Sequence, residues 1–194
     1  MAHIGRGASA RSRGRSSHAF GAVGFALAVA LSLAVGFAKA DVTATAPDSF
    51  TVKHAAVVPL DATAAYERLV RVEQWWDGEH TYSGQARNLK LAAAPGGCWC
   101  EQLADGGFVE HMRVIYAQPG KVLRLDGGLG PLQGVGARGV MTYTLKPEGA
   151  GTKVTMTYVV IGATGSLEKL AVPVDGVLAQ AMQRFGNVAA AAAR

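Results

Sequence analysis

Residues 139–161 read GVMTYTLKPEGAGTKVTMTYVVI, and their pattern is the clearest indication of the fold. On both sides of the central Pro-Glu-Gly-Ala-Gly turn, apolar and polar residues alternate, with methionine and tyrosine at one parity and threonine at the other. A period of two predicts two β-strands, over residues 139–146 and 152–161, that form an antiparallel hairpin. We expect the methionines and tyrosines to face the interior, because the threonine face is the more polar one.

Turn sequences divide the residues before this hairpin into further strands. Each segment ends at a glycine-rich or proline-containing turn, which is typical of a sharp chain reversal. The predicted strands cover residues 50–59, 86–93, 98–103, 108–117 and 121–126. The chain is therefore predicted to be an α+β protein with a curved antiparallel sheet of about seven strands.

Helices are predicted on both sides of this run of strands. Asp61 is placed to cap a short helix that follows the first strand, and a second short helix is predicted at Glu73 to Trp76. From Pro173 to the chain end, apolar residues recur at steps of three and four, which predicts one long helix with Pro173 in its first turn. The stripe that should lie on the sheet consists of Val174, Val177, Leu178, Ala181, Phe185 and Val188.

The first forty residues have the composition of a targeting segment. Residues 6–15 contain four arginines and no acid, residues 19–38 are uncharged and largely apolar, and Ala38-Lys39-Ala40 fits a signal-peptidase site. We predict a signal peptide over residues 1–40 that is removed after Ala40, followed by a flexible lead-in over residues 41–49 and one ligand-binding domain over residues 50–194. The chain would then be exported, to the periplasm or outside the cell. An uncleaved membrane anchor is the alternative, since about twenty apolar residues are long enough to span a bilayer.

Removal of this segment changes the charge of the chain. Five of the nineteen lysines and arginines and none of the fourteen acidic residues lie in residues 1–40, so the remainder carries fourteen basic and fourteen acidic residues. A neutral domain without a basic stripe does not fit nucleic-acid binding. We therefore predict no nucleic-acid partner, and contact with a membrane only through an uncleaved N-terminal segment.

Cys98 and Cys100 are two residues apart in a predicted strand. In an extended strand, their Cα atoms would lie about 7 Å apart, which is the upper limit for a disulfide. We expect two thiols, with a strained disulfide as the alternative. Two sulfurs without an adjacent histidine make a poor zinc site, and we predict no metal and no cofactor.

The strand over residues 108–117 provides the candidate catalytic residue. Its more apolar parity contains Met112 and Val114, which draws Glu110 to the inner face and places His111 and Arg113 outside. A carboxylate removed from water tends to have a raised pKa and is suited to act as a general base. The alternative is a structural Glu110 that pairs with Arg113 or Arg124.

The inner face of the predicted sheet and helix supplies the candidate ligand-binding residues. Methionine side chains adapt to apolar ligands of irregular shape, and tyrosine hydroxyls can orient a polar group of the ligand. The alternative is that the methionines simply fill a core. The predicted lining is Trp76, Glu110, Met112, Met141, Tyr143, Met156, Tyr158, Met182 and Phe185.

The order of elements and several short motifs resemble the SRPBCC superfamily, a START-related group of helix-grip proteins that includes polyketide cyclases and Aha-type ATPase activators. The resemblance covers residues 50–185. It implies a cavity for a small hydrophobic ligand between the sheet and the C-terminal helix, and it identifies no reaction. The motifs are Trp75-Trp76, Pro95-Gly96-Gly97-Cys98-Trp99, Pro119-Gly120-Lys121-Val122-Leu123, Thr142-Tyr143-Thr144-Leu145 and Gly151-Thr152-Lys153-Val154-Thr155.

Three functions fit these features. The first is an exported protein that binds a hydrophobic or amphipathic molecule such as a lipid, a polyketide or an aromatic compound. The second is an enzyme of cyclase or dehydratase type that uses Glu110 with Tyr143 or Tyr158. The third is a protein-interaction module with a filled core. The sequence contains no nucleophile-elbow, phosphate-loop, zinc-protease or dinucleotide-binding motif that would favour another class of enzyme.

Overall fold

A computed structural model describes residues 41–163 and 165–193 of the chain. Within these residues, eight antiparallel strands form one sheet, and two α-helices lie in the segments between and after them. The elements are β1 Asp41–Ala46, β2 Ser49–Val58, α1 Ala62–Leu69, β3 Leu89–Leu91, β4 Cys98–Gln102, β5 Phe108–Gln118, β6 Val122–Gly127, β7 Arg138–Glu148, β8 Gly151–Ile161 and α2 Glu168–Ala192.

The strands lie in the order β1-β2-β8-β7-β6-β5-β4-β3. The predicted hairpin is β7 and β8, which pair from Arg138 opposite Ile161 to Glu148 opposite Gly151. Its alternation is as predicted: Met141 and Met156 are fully buried on the inner face. The hydrophobic core therefore lies on the methionine and tyrosine side of the sheet.

Helix α2 packs on this inner face, mainly against β2. Leu178, Ala181 and Phe185 of the predicted stripe are buried, and Val174, Val177 and Val188 are partly buried against the core. A long helix held by a curved antiparallel sheet is the predicted helix-grip arrangement. The α+β fold class is confirmed.

Helix α2 begins earlier than predicted. It starts at Glu168, so that Pro173 lies inside the helix and not in its first turn. Proline here removes one backbone N–H donor, but the preceding turn is anchored by tertiary contacts that the sequence pattern does not reveal. Leu167 is fully buried, and its N–H donates to the carbonyl of Pro47 at 2.9 Å.

The residues predicted to be a flexible lead-in form an edge strand. Strand β1 folds back through Pro47 and Asp48 and pairs with β2. Because β8 occupies only one side of β2, the free backbone groups on its other side are available for pairing, and β1 uses them. The sheet consequently has eight strands where about seven were predicted.

The two short helices predicted after the first long strand are one α-helix and one 3₁₀ turn. Asp61 caps α1 as predicted, since its Oδ1 accepts from the N–H groups of Thr63 and Ala64, each at 2.9 Å. The second is a single 3₁₀ turn, Val72–Gln74. It ends at Trp75, whose Nε1 donates to the carbonyl of Leu69 at 3.1 Å in the core.

The expectation that the cysteines are thiols is wrong in the structure, where Cys98 and Cys100 form a disulfide. Their Cα atoms are 5.5 Å apart, well below the value for an extended strand. The pairing between β4 and β5 is irregular at this point, between Trp99 and Cys100. The strand is therefore not fully extended where the two sulfurs meet.

The predicted signal peptide, residues 1–40, lies outside the described residues, and so does its alternative as a membrane anchor. In the part of the chain that the structure describes, no helix combines the length and the apolar character needed to cross a membrane.

Candidate functional site

A cavity of about 320 Å³ lies between the first half of α2 and one end of the sheet. Its helical wall is formed by Leu170, Pro173, Val174, Val177 and Leu178. Because these residues lie at the start of α2, the early beginning of this helix builds one side of the cavity.

Two tryptophans form the opposite wall. Trp99 on β4 and Trp76 in the loop after α1 meet edge to face, with ring centroids 4.9 Å apart and planes at 89°. The Nε1 of Trp76 donates to the carbonyl of His80 at 3.0 Å, which holds the loop that borders the cavity. The aromatic wall is therefore fixed by packing and by a backbone hydrogen bond.

A buried pair of ionisable side chains stands beside this wall. Glu101 on β4 is 1% exposed and His111 on β5 is 4% exposed, and His111 Nε2 lies 3.0 Å from Glu101 Oε2. Glu101 also accepts from the backbone N–H groups of Tyr82 and Ser83, one at each carboxylate oxygen. The pair thus ties the loop after Trp76 to two strands of the sheet.

The surroundings of this pair define its protonation. Burial raises the pKa of Glu101, but hydrogen bonds from Ser83, Tyr82 and His111 more than offset this, so that the pKa lies below its ordinary value. Burial lowers the pKa of His111, and the neighbouring Glu101 opposes this only in part. At neutral pH, the pair consists of a carboxylate and an uncharged imidazole.

The tautomer of His111 follows from this arrangement. An ionised carboxylate only accepts hydrogen bonds. The ring proton of His111 is therefore on Nε2, and this N–H donates a hydrogen bond to Glu101. The uncharged ring then has a lone pair on Nδ1, and this atom is buried without a hydrogen-bond partner among the described residues.

Tyr82 covers the imidazole. Its ring stacks on His111, with centroids 5.9 Å apart and planes at 28°, and its hydroxyl donates to the carbonyl of Gly130 at 3.0 Å. Tyr82 and Gly130 both line the cavity. The tyrosine therefore bridges two loops at the cavity, and its side chain remains 56% exposed.

His111 was predicted to lie on the outer face of the sheet, and this prediction is wrong because the pairing of β5 with β4 is irregular. Trp99 pairs with Met112, but the next residue, Cys100, pairs with Glu110, so His111 is an extra residue in β5. A bulge of this kind shifts the alternation by one residue. His111 and Met112 are consequently both buried, although they are adjacent in sequence.

The inward position predicted for Glu110 is also wrong for the same reason. Glu110 is about one-third exposed and its Oε2 lies 2.5 Å from Arg113 Nη2, so it forms the structural ion pair considered as the alternative. It does not line the cavity beside α2. The buried carboxylate is Glu101, which the sequence analysis missed because a single acidic residue in a short strand has no distinguishing pattern.

Of the nine predicted lining residues, only Trp76 lines this cavity. Tyr158 is fully buried, accepts from the N–H of Leu129 at 3.2 Å and donates to the carbonyl of Gly127 at 3.0 Å. Burial raises its pKa to about 12 and also raises the pKa of Tyr143. The remaining predicted residues pack in the core, as the alternative proposed: Met112, Met141, Tyr143, Met156, Met182 and Phe185.

The two sulfurs of Cys98 and Cys100 and a carboxylate oxygen of Glu110 lie within 4.8 Å of one another. In the disulfide, neither sulfur is a thiolate, which is the form that ligates a metal ion. The cluster therefore has the spacing of a metal site without the ligand chemistry.

No family model matches the chain, and no curated protein matches it in sequence. Solved structures match its fold. The Aha1 dimer from Colwellia psychrerythraea is 13% identical with a TM-score of 0.51, over 72% of this chain and 96% of that one. CalU16 from Micromonospora echinospora is 14% identical with a TM-score of 0.53, over 82% of this chain and 77% of that one. A conserved protein of unknown function from Enterococcus faecalis, EF2215, is 12% identical with a TM-score of 0.53, over 77% of this chain and 76% of that one.

Identities this low establish the fold alone. These structures share the overall fold described above. The chain therefore has the helix-grip fold that the resemblance in its sequence implied.

Proposed function

We propose that this chain is an exported protein that binds a small, mainly apolar molecule in the cavity beneath the first half of α2. The observation that carries the proposal is the cavity itself. It measures about 320 Å³ and is walled by Trp76, Trp99 and the apolar residues of α2. Its volume lies at the lower end of the range for small-molecule sites, which are mostly apolar with a few polar groups.

The position of the cavity also supports binding over an interaction module with a filled core. The methionines that were predicted to line a cavity are packed in the protein core. The space beside Trp99 and Val177, in contrast, is not filled by side chains. A mainly apolar recess with a few polar groups in its walls is the usual form of a small-molecule site.

Two features support export. The composition of residues 1–40 is that of a cleavable leader. The disulfide between Cys98 and Cys100 belongs in an oxidising compartment, such as the periplasm or the extracellular space. Intact mass spectrometry of the protein from a native host would test this, since a mature N-terminus at Asp41 is expected and an uncut chain would contradict it.

Binding is tested by filling the cavity. Val174 lines it, whereas Val172, two residues away on the same helix, is 73% exposed. We expect Val174→Phe to weaken binding of the uncharged fluorescent probe N-phenyl-1-naphthylamine by roughly tenfold or more, because the new ring occupies the same space. Val172→Phe is the matched control and should bind like the wild type. Equal affinities for all three proteins would contradict the proposal.

Native mass spectrometry of the wild type as purified gives an independent test. A small molecule that remains bound to the wild type and is lost from Val174→Phe would support the proposal and supply the mass of the natural ligand.

A further inference from the structure

Two residues that line the cavity carry buried polar atoms that have no hydrogen-bond partner among the described residues. The atoms are Nε1 of Trp99, whose side chain is 1% exposed, and Nδ1 of His111. Buried polar groups in folded proteins are nearly always paired, and leaving one unpaired is costly. Two such atoms around one cavity therefore call for a partner that is not part of the chain.

The two atoms have opposite hydrogen-bonding character. The indole N–H of Trp99 only donates. Nδ1 of His111 only accepts, because the N–H of the same uncharged ring is at Nε2 and donates a hydrogen bond to Glu101. The rings are neighbours, with centroids 6.3 Å apart and planes at 62°. A partner that satisfies both must be able to donate and accept.

The rest of the cavity restricts that partner further. Around the two rings, the lining includes Leu129, Pro131, Val177 and Leu178. Beside these two rings, the buried carboxylate of Glu101 is already engaged by His111, Tyr82 and Ser83. His80 also lines the cavity, but it is exposed and its Nε2 lies 3.1 Å from Oε1 of Gln180. A charged group at the end of the ligand that meets Trp99 and His111 would have no free counter-charge there and would have to be desolvated at a large cost.

We infer that the ligand is a mainly apolar molecule that carries one uncharged hydroxyl group, as a phenol or an alcohol, at the end that reaches Trp99 and His111. The hydroxyl donates to Nδ1 of His111 and accepts from Nε1 of Trp99, while the apolar body of the ligand lies against α2. This inference rests on the proposed binding function and adds to it the chemical class of the ligand.

Three probes of one shape separate these contacts. 2-Naphthol donates and accepts, 2-methoxynaphthalene only accepts, and 2-methylnaphthalene does neither. Their affinities are measured by calorimetry for the wild type and for two variants. His111→Phe removes the acceptor and keeps an aromatic ring under Tyr82, and Trp99→Phe removes the donor.

We expect His111→Phe to weaken the binding of 2-naphthol by roughly fivefold, which is the effect of one hydrogen bond. The affinities of the other two probes should stay nearly unchanged. Trp99→Phe should weaken the binding of both 2-naphthol and 2-methoxynaphthalene relative to that of 2-methylnaphthalene, because only the first two probes can accept a hydrogen bond. Gln183→Ala is the control, because Gln183 is exposed on α2 and does not line this cavity, and all three affinities should stay as in the wild type.

A second measurement avoids variants that fold poorly. Nitrogen NMR of the wild type, with labelled histidine, should show Nε2 of His111 protonated and Nδ1 unprotonated. The Nδ1 resonance should move upfield when 2-naphthol binds and stay in place when 2-methylnaphthalene binds.

The outcomes are distinguishable. If the three probes bind the wild type but the variants change them all by one factor, or if Nδ1 does not respond to 2-naphthol, the hydroxyl inference is overturned and the cavity remains a binding site. If none of the probes binds and Val174→Phe does not differ from wild type towards the fluorescent probe, the proposed function fails, and this inference fails with it.

Discussion

His54 on β2 and Asp175 on α2 meet across the interface between sheet and helix, with Nε2 2.9 Å from Oδ1. His54 is buried and Asp175 is only slightly exposed. The atoms are close enough for an ion pair, although they are not aligned as a hydrogen bond. Asp175 is adjacent to Val174, so this contact holds the part of α2 that forms the wall of the cavity.

Loss of this contact should destabilise the fold. Asp175→Ala leaves the buried imidazole of His54 without its acidic neighbour, and we expect the free energy of unfolding to fall by about 2 kcal/mol. Urea denaturation provides the measurement. Gln183→Ala, at an exposed position of the same helix, should change stability by less than about 0.5 kcal/mol. Equal losses in the two variants would show that the contact does not anchor the helix.

Glu101, the carboxylate found in the core, and Glu110, the carboxylate predicted to be there, differ sharply in burial. Glu101→Ala removes the acceptor for His111 and for two backbone N–H groups, and should cost about 3 kcal/mol or more of stability. Glu110→Ala breaks a partly exposed pair with Arg113 and should cost less than about 1 kcal/mol. Denaturant titrations of both variants check this, and the reverse order of stabilities would contradict the assignment of the buried carboxylate.

Stability should depend on pH through His111. Because the pKa of His111 is lower in the folded protein than its ordinary value, the unfolded chain takes up a proton first as the pH falls below about 6.5. Acid therefore favours unfolding in the window below that pH. The lowered pKa of Glu101 acts in the same direction at more acidic pH, where protonation of the unfolded chain again comes first.

The measurement is the melting temperature of wild type and His111→Phe at a series of pH values between 7.5 and 5, chosen to cross the ordinary histidine pKa. The wild type should lose more stability across this range than the variant, which lacks the titrating ring. Parallel curves for the two proteins would show that His111 does not titrate with unfolding.

The disulfide should be present but contribute little to stability. The purified, unreduced protein should contain no free thiols, and two after denaturation and reduction, as counted with a thiol reagent. Since the bridge closes a loop of only three residues, replacing both cysteines by serine should cost no more than about 2 kcal/mol and leave the fold intact. Two thiols in the unreduced protein would restore the original expectation.

The helix-grip fold was predictable from the sequence because its determinants are local. The alternation in residues 139–161 requires a hairpin with one buried face, and the three-and-four spacing in the C-terminal segment requires a helix that lies on that face. Asp61 similarly identifies the start of α1 from its own side-chain chemistry. Each of these features depends on neighbours within a few residues.

The boundaries were less predictable where distant contacts decide them. Strand β1 exists because β2 has a free edge, and α2 begins at Glu168 because Leu167 is held in the core and bonded to Pro47. Neither the free edge nor the core position is visible in the local sequence.

The sheet, the helix and the apolar face between them were predictable, because periodicity is a property of the chain alone. Which part of that face forms a filled core and which part borders a cavity depends on contacts between distant elements. Met141 and Met156 fill a core, while Trp99 and His111 border a cavity. One extra residue in β5 moves His111 inward and leaves Glu110 outside. A bulge is defined by the pairing of two strands, so its effect on the site appears only when both strands are in place.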